Sequence, residues 1–426
     1  MTDFLKYRVS HYIRSYFFMN NSLSKNTDQW YKRNHIRSQQ RIFMSQTEAC
    51  VPRTCQAIGE AFLQLHQQEG FELLPPSSLL HDSVPMSFVM SAGLIQVENE
   101  LEQIVEQTGG RFAFTQPCFR HFDVKQVGLD STHLSLFHMS AAFHIGCSER
   151  STVLPRLWRF LTEHLQLNPD RLWISYLDDV QYGRDQRTYD CWVQAGVDPA
   201  HLVALDKEHC FWRQRSTGQI ASDGKKCGPH TEVFYERPGF ACGEYCESGN
   251  PGACRCGRFV EVSNSLFIEN YIDDEDRLIP AETVFSECVI GIERLAMVQQ
   301  DVPDVLHVDR FDEWRERLKP FLPERLTVEQ EQSVNIIIDH LSAFVKLTED
   351  GAPEPGKGGR RYIMRKLVRG SAREALRLKF DLKTLKNAPP DIRARLWFGI
   401  EIDKFLRSME ANSDEMLIPY FQGYKS

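Results

Sequence analysis

The chain has 426 residues, 42% of them hydrophobic and 25% charged, with a formal net charge of -8. A chain this long buries large cores without disulfide staples, which excludes a disulfide-rich mini-domain, and at roughly 150 residues per domain it accommodates two or three. No run approaches about 18 consecutive apolar residues, which excludes an evident membrane-spanning helix, and the acidic balance excludes a polycation that holds nucleic acid by bulk charge, though not a local basic face.

Residues 1–45 stand apart. Lys6, Arg8, Arg14, Lys25, Lys32, Arg33, Arg37 and Arg41 are opposed only by Asp3 and Asp28. This basic stretch fits an organelle transit peptide, a nucleic-acid arm, a disordered extension, or a chain whose translation begins at Met44. No secretory apolar segment precedes it. The expected compartment is therefore the cytoplasm, or an organelle if the extension is a leader.

From Thr47 the pattern is that of a folded protein. Ile58, Ala61, Phe62 and Leu65 recur at helical spacing and predict a helix over 55–69. A short strand is expected at 71–74 and a small apolar run at 87–93. Two antiparallel strands follow at 111–120 and 134–145, joined by a long polar connection. A helix is expected at 154–165, a strand at 172–177 and a helix at 187–196. Strands come next at 231–236 and 258–270, and 282–299 reads as a strand passing into a helix at Gly291. Beyond about Asp309 the period is helical, over 328–347, 360–379 and 392–409. The segment 349–359 (EDGAPEPGKGG) has the composition of a loop. These elements predict an α+β sheet domain over 46–308 followed by a helical domain over 309–426.

Four features carry chemistry. Arg120, in CFRHFD at a strand end, and Arg294, in GIER after a glycine, are permanently charged forks suited to phosphate oxygens; either alone reads equally as a surface arginine. Cys242, Cys246, Cys254 and Cys256 lie in a loop rich in glycine, short of the apolar residues needed to fold by itself. Four thiolates there can close a tetrahedral structural Zn2+ site, the alternative being a redox-reactive loop, and Cys227 and His230 are further ligand candidates. Arg361, Arg365, Arg369, Arg373 and Arg377 recur every four residues, beside Lys366. On a helix they form a stripe that either tracks an RNA backbone or is a solvated face. His133, His138 and His144 cluster near the hairpin, with His138 and His144 on one strand face.

The order of motifs is more specific than any of them. The runs PPSSLLHDSVPMSFVMSAGLIQ (75–96), PCFRHFDVKQVG (117–128), CGPHTEVFYE (227–236), RFVEVSNSLFI (258–268) and GIER (291–294) follow one another along the chain. In order and spacing the chain resembles the catalytic domain of the class II alanyl-tRNA synthetase family over about residues 50–380. RRYIMRKLVRGSAR (360–373) is similar to that family's first tRNA-recognition helices. The resemblance implies an antiparallel class II sheet flanked by helices that uses ATP and Mg2+. An amino-acid carboxylate attacks the α-phosphate, and the acyl group passes to a tRNA at its acceptor stem. Nucleotidyl transfer needs positioning and charge neutralisation rather than a nucleophilic side chain, so the lack of a Ser/His/Asp pattern is consistent.

Carried over residue by residue, the resemblance implies that Arg120 meets the α-phosphate and Arg294 the γ-phosphate. Glu261 and Asn264 would face Mg2+–ATP and the amino acid, and Trp212 would wall the side-chain pocket. Arg361, Arg365, Lys366, Arg369 and Arg373 would contact tRNA. Departures gather at the pocket. His138 stands where the family has Glu, Ala142 where it has Asn, Ser263 where it has Trp, and His230 where it has Cys. Glu287 stands where the family's Asp holds the substrate ammonium, and the loop after Arg120 is shorter than the family's lysine-bearing one. An added methylene at Glu287 shifts the anionic anchor and with it the amine that fits. The expected activity is ATP-dependent activation of a small amino acid, alanine in the first instance, and transfer to tRNA. The alternatives are another small amino acid passed to a carrier protein or a specialised tRNA-dependent pathway, and a non-catalytic paralogue that binds tRNA or amino acid. Retention of both phosphate-clamp arginines argues against the last. The family continues into editing and C-terminal modules, so correction of mischarging is expected in trans.

Overall fold

The structure, a computed structural model, describes residues 51–410 except 83, 94–100, 215–224, 243–249, 255, 274, 276, 379–384 and 386. The basic extension 1–45 and Cys246 lie outside the described residues. Helix α1 (Cys55–Gln68) starts where the Thr54 hydroxyl accepts the Ala57 N–H at 3.1 Å, and its periodic Ile58, Phe62 and Leu65 are buried. The strands are β1 (Glu72–Leu73), β2 (Arg111–Phe119), β3 (Leu136–Ile145), β4 (Leu172–Asp179), β5 (Gly183–Arg184), β6 (Leu202–Leu205), β7 (Phe211–Arg213), β8 (Lys225–Glu236), β9 (Phe259–Ile272) and β10 (Leu278–Gly291). Between them lie α2 (Leu101–Thr108), α3 (Arg150–Arg159), α4 (Gln186–Gln194) and α5 (Lys207–Cys210). The expected helix at 154–165 begins earlier, and its last turn, Phe160–His164, widens to a π turn. The apolar run 87–93 forms no regular element; it lies beside the end of β2, where the Phe119 N–H donates to the Val89 carbonyl at 2.7 Å.

The strands form one ten-stranded sheet in the order β1-β2-β3-β10-β9-β8-β4-β5, with β6 on β4 and β7 on β8. It is mixed rather than wholly antiparallel, because β1–β2 and β4–β6 are parallel. Side-chain alternation divides it into two faces. One face carries Ala113, Ala142, Phe267, Cys288 and Ile290 into the main core. Helices α1 and α6 (Ile292–Gln300) cover that face: Gly59 of α1 lies against Ile292, Ser140 and Thr115. The other face carries Phe112, Phe114, Ala141, Phe143, Leu266 and Val289, a smaller apolar cluster, and beside it the charged groups described below. Gly228 allows β8 to pass tightly over β9, since a Cβ there would fall 1.8 Å from the Phe267 carbonyl oxygen.

The chain continues through α7 (Asp312–Leu318), α8 (Val328–Glu349), α9 (Gly359–Arg377) and α10 (Ile392–Glu410). A capping box starts α8: the Thr327 hydroxyl accepts from Gln330, and the Gln330 side chain accepts from the Thr327 N–H. Val334, Ile338, Leu341 and Phe344 of α8, Leu367 and Val368 of α9, and Phe398 and Ile402 of α10 join the same buried cluster as α1 and the covered sheet face. The helices are therefore welded to the sheet without a break in apolar packing. Gly128, at φ +78°, brings the loop after Arg120 against Ile336 of α8. No helix among the described residues is long and apolar enough to cross a membrane.

Candidate active site

Arg120 follows the last residue of β2. Its backbone N–H donates to the Ser135 carbonyl at 2.9 Å, and its Nε donates to the Met90 carbonyl at 3.0 Å. The guanidinium lies 4.9 Å from the Phe137 ring centre, which gives it a flat bed. No described carboxylate pairs with it, which leaves its terminal nitrogens able to donate to a ligand. Arg294 enters from α6, whose first turn starts at Gly291. Its Nη1 donates to the Glu261 carboxylate at 2.9 Å and to the Glu261 carbonyl at 3.1 Å. Asp123, in the loop after Arg120, is raised above the usual range by burial, while the charges of Arg120 and Arg294 both pull it down.

Two rows of residues cross the sheet here. The register aligns Ala141, Val289, Asn264 and Glu232 on four successive strands. Glu232 accepts from the Asn264 amide at 3.3 Å and lies 3.5 Å from His230 Nε2. Burial, and then the charge of nearby Glu261, push the Glu232 carboxyl up. Glu232, raised by burial and by the Glu261 charge, and Glu261 beside it together offer hard carboxylate oxygens of the kind that suit a divalent cation.

The next row is Phe143, Glu287, Leu266 and His230. Glu287 stands among apolar neighbours, and no described side chain or backbone group pairs with its carboxyl. Burial raises it to about 8. A carboxyl that is costly to ionise alone, aimed at a face with two phosphate-type arginines, suits a ligand that brings its own ammonium.

The glycine-rich loop between β8 and β9 gathers Cys242, Cys254 and Cys256. Their sulfurs are 3.9, 3.1 and 3.9 Å apart. Ligands about 2.3 Å from a tetrahedral Zn2+ sit roughly 3.8 Å from one another; two of the three separations match that spacing and the Cys254–Cys256 one is shorter. Hydrogen bonding from Cys256 pulls the Cys254 thiol down towards thiolate. Cys242 also accepts from Arg258, which pairs with Glu236. This is the group of three or more potential metal-binding side chains found among the described residues. Cys227 is not in it; it is buried with Leu177, Cys210, Phe211 and Ile272. His230 is engaged on the site face.

On α9 the five arginines have different surroundings. Arg373 and Arg377 both bind Glu374, which is 1% exposed, at 3.0 and 3.1 Å. Arg369 approaches Glu401, 4% exposed, at 3.9 Å. Arg361 and Arg365, nearer the helix start, have no described carboxylate partner, and Arg365 lies over Tyr362 at 5.5 Å. Burial, with Lys125 and Arg373 nearby, pulls the Lys366 ammonium below its usual range. Lys125 belongs to the loop after Arg120, so that loop and α9 share one basic surface.

Residues 57–394 match the family model described as tRNA synthetases class II (A). The chain belongs to this family. Curated alanine–tRNA ligases are similar to it: that of Coxiella burnetii at 28% identity over 75% of this chain and 35% of its own length, that of Acetivibrio thermocellus at 27% over 84% and 40%, and that of Thermotoga maritima at 29% over 76% and 36%. The chain therefore spans little more than a third of the length of the curated relatives it matches. A solved apo histidyl-tRNA synthetase from S. aureus aligns over 59% of this chain and 67% of its own at 10% identity, with a TM-score of 0.34, too distant to argue from.

In this member of the class II family the expected site residues separate into two groups. Arg120, Glu261, Asn264, Glu287 and Arg294 come together on one face of the sheet. His138 and Ser263 do not. His138 alternates with Phe137 and Met139, so it points to the helix-covered side, where its Nδ1 and backbone N–H hold Glu293 at 2.9 Å. Against the cost of burial, Arg310 and His138 hold Glu293 down to about 2. Ser263 is buried on the same side and donates to the Val289 carbonyl at 2.8 Å. Both are corrected from pocket walls to supports behind the sheet, because a strand's two-residue period sends adjacent letters to opposite faces. Trp212 lies on β7 opposite Gly228, 38% exposed. Glu232 and Asp123 are site residues that sequence reasoning missed. For Glu232 a signal existed: it shares strand parity with His230 in CGPHTEVFYE. Its neighbour Asn264 comes from a register that no local pattern fixes.

Proposed function

We propose that this synthetase activates a small amino acid, alanine first among them, with ATP and transfers it to the 3′ end of a tRNA. The observation that carries this reading is the unpartnered Glu287 carboxyl on the sheet face that also presents Arg120 and Arg294. Glu287 accepts the substrate ammonium and so aims the substrate carboxylate along the sheet. A carboxylate oxygen attacks the α-phosphorus, the bond to the bridging oxygen breaks, and pyrophosphate leaves. Arg120, flat on Phe137, donates to the α-phosphate oxygens as their charge rises. Arg294, steadied by Glu261, meets the γ-phosphate, and Asn264 orients the amino acid. Glu232 and Glu261 would hold Mg2+, which neutralises phosphate charge when bound. A tRNA terminal hydroxyl then attacks the acyl carbon and AMP leaves.

Arg361, Arg365 and Lys366 meet the acceptor-stem phosphates, and the relatives' names favour tRNA over a carrier protein as acceptor. Cys242, Cys254 and Cys256 would hold a structural Zn2+ that fixes the β8–β9 loop. The test is charging of purified tRNA with labelled amino acids. Alanine-dependent, ATP-dependent acylation is expected; acylation with a different amino acid would move the specificity to Glu287 and its row, and none at all with any amino acid would overturn the reading.

A further inference from the structure

Arg120, which grips the α-phosphate in this reading, is held among the described residues by two backbone carbonyls: that of Ser135 accepts its backbone N–H, and that of Met90 accepts its side-chain Nε above the Phe137 ring. Ser135 is bonded directly to one of the helices beyond the sheet, and Met90 ends a stretch, three residues past Ser87, that another of them holds. Ser135 is fully buried. Its N–H donates to Asp339 Oδ1 at 2.8 Å and its hydroxyl to Asp339 Oδ2 at 2.6 Å, and Asp339 belongs to α8. His340 completes that carboxylate's bonding at 3.0 Å.

The Met90 side is tied through the residues that precede it. Arg360, in the first turn of α9, donates Nε to the Ser87 carbonyl at 2.6 Å and Nη2 to the carbonyls of Val84 and His81 at 3.0 and 3.1 Å. Its guanidinium lies 5.7 Å from the Phe88 ring centre, and Phe88 meets Phe119, the residue before Arg120, edge-on at 5.3 Å. Asp350, capping α8, accepts the Leu79 N–H at 2.8 Å. The described residues of the stretch 79–90 form no helix or strand of their own to hold it. Its carbonyls are gathered by a planar fork that a lysine's point charge cannot reproduce.

We infer that Arg360 and Asp339 are positioning residues for Arg120: two helices outside the sheet set the phosphate clamp. This rests on the assignment of Arg120 to the α-phosphate. The helix that carries the exposed Arg361 and the half-buried Arg365 thereby also holds the activation site in register. A displacement of about 1 Å in a catalytic group is enough to cost on the order of 100-fold in rate, so a modest loosening of Met90 is visible in kinetics.

The test uses the full chain and a double-mutant cycle, which isolates a pair's coupling. R360K and S135A are compared with wild type, R120A and R120A/R360K, reading the MgATP dissociation constant by calorimetry, kcat and KM in pyrophosphate exchange, and melting temperature. The expected result for R360K is about a tenfold loss in MgATP affinity or kcat with the KM for amino acid unchanged. S135A shifts the same parameters in the same direction. In the R120A background R360K changes MgATP affinity by less than about twofold. A lower melting temperature with wild-type MgATP affinity and kcat in the folded protein would overturn the inference, and so would losses that multiply in the double variant. Wild-type protein that binds MgATP yet exchanges no pyrophosphate would overturn the proposed activity instead, leaving the affinity cycle to decide the positioning role.

Discussion

Two sets of arginines in this molecule look alike in sequence and differ in what faces them. On α9, Arg373 and Arg377 converge on Glu374, a carboxylate that water does not reach, and Arg369 turns to Glu401, equally buried. On the sheet, Arg120 lies on an aromatic ring with no described carboxylate against it. Among the described residues Arg294 pairs with Glu261, which is itself 38% exposed. A buried carboxylate commits an arginine to the fold, because separating them strands a charge in low dielectric. An arginine with a stacked or half-exposed support keeps donors for a ligand. The stripe on α9 is thus two features: a structural C-terminal half, and an N-terminal half, Arg361 and Arg365, that remains available to phosphates.

This contrast is easiest to break from its ends. Arg294→Ala should lower the activation rate by about 100- to 1000-fold, the cost of a lost transition-state donor, while melting temperature and circular dichroism stay near wild type. Unchanged turnover would remove it from the chemistry. Glu374→Ala should do the opposite, costing about 3 kcal/mol of stability in urea unfolding as its arginines lose a buried partner, with the folded fraction still binding MgATP.

A smaller and graded effect belongs to Glu287. Burial raises its carboxyl to about 8, so it is protonated at pH 6, and only the ionised form holds an ammonium. Amino-acid affinity should therefore improve by about tenfold per pH unit up to near pH 8 and then level off, and Glu287→Gln should weaken binding and flatten the profile. Stability carries the reverse sign. The contribution of the neutral buried acid is complete below the ordinary carboxylate range and is lost as pH rises through about 8. A wild-type affinity independent of pH between 6 and 8 would show that Glu287 does not anchor the amine.

The smallest effects concern RNA and the thiol loop. Charge reversal at Arg361 and Arg365 should lower the slope of log affinity for tRNA against log salt by about one for each phosphate that is no longer neutralised, whereas reversal at Arg373 should act on folding. Metal analysis should find about one zinc per chain, and its removal should lower the melting temperature more than it slows activation.

How far the sequence carried this account differed by kind of information. Elements with strong periods were legible: α1 from Ile58, Ala61, Phe62 and Leu65, the β2–β3 hairpin, and the passage from β10 into α6 at Gly291. The short edge strands β5, β6 and β7 were not, because two to four residues carry no period. Arg120, Asn264, Glu287 and Arg294 were nameable because each sits in a recognisable run. The placement of His138 and Ser263 was misread because matching letter to letter ignores which face of a strand a letter occupies. Glu374 was invisible as a partner of Arg373 and Arg377. Nothing in a stripe of arginines tells which of them looks back at a carboxylate on its own helix.

The most direct test of the central claim is amino-acid-dependent ATP–pyrophosphate exchange, run over the proteinogenic amino acids with zinc-loaded protein. It needs no tRNA, so it reads the sheet face alone. The account predicts exchange with alanine, lost in Arg294→Ala and retained when Arg361 and Arg365 are both reversed to Glu. Absence of exchange with any amino acid, with or without added tRNA, would contradict it.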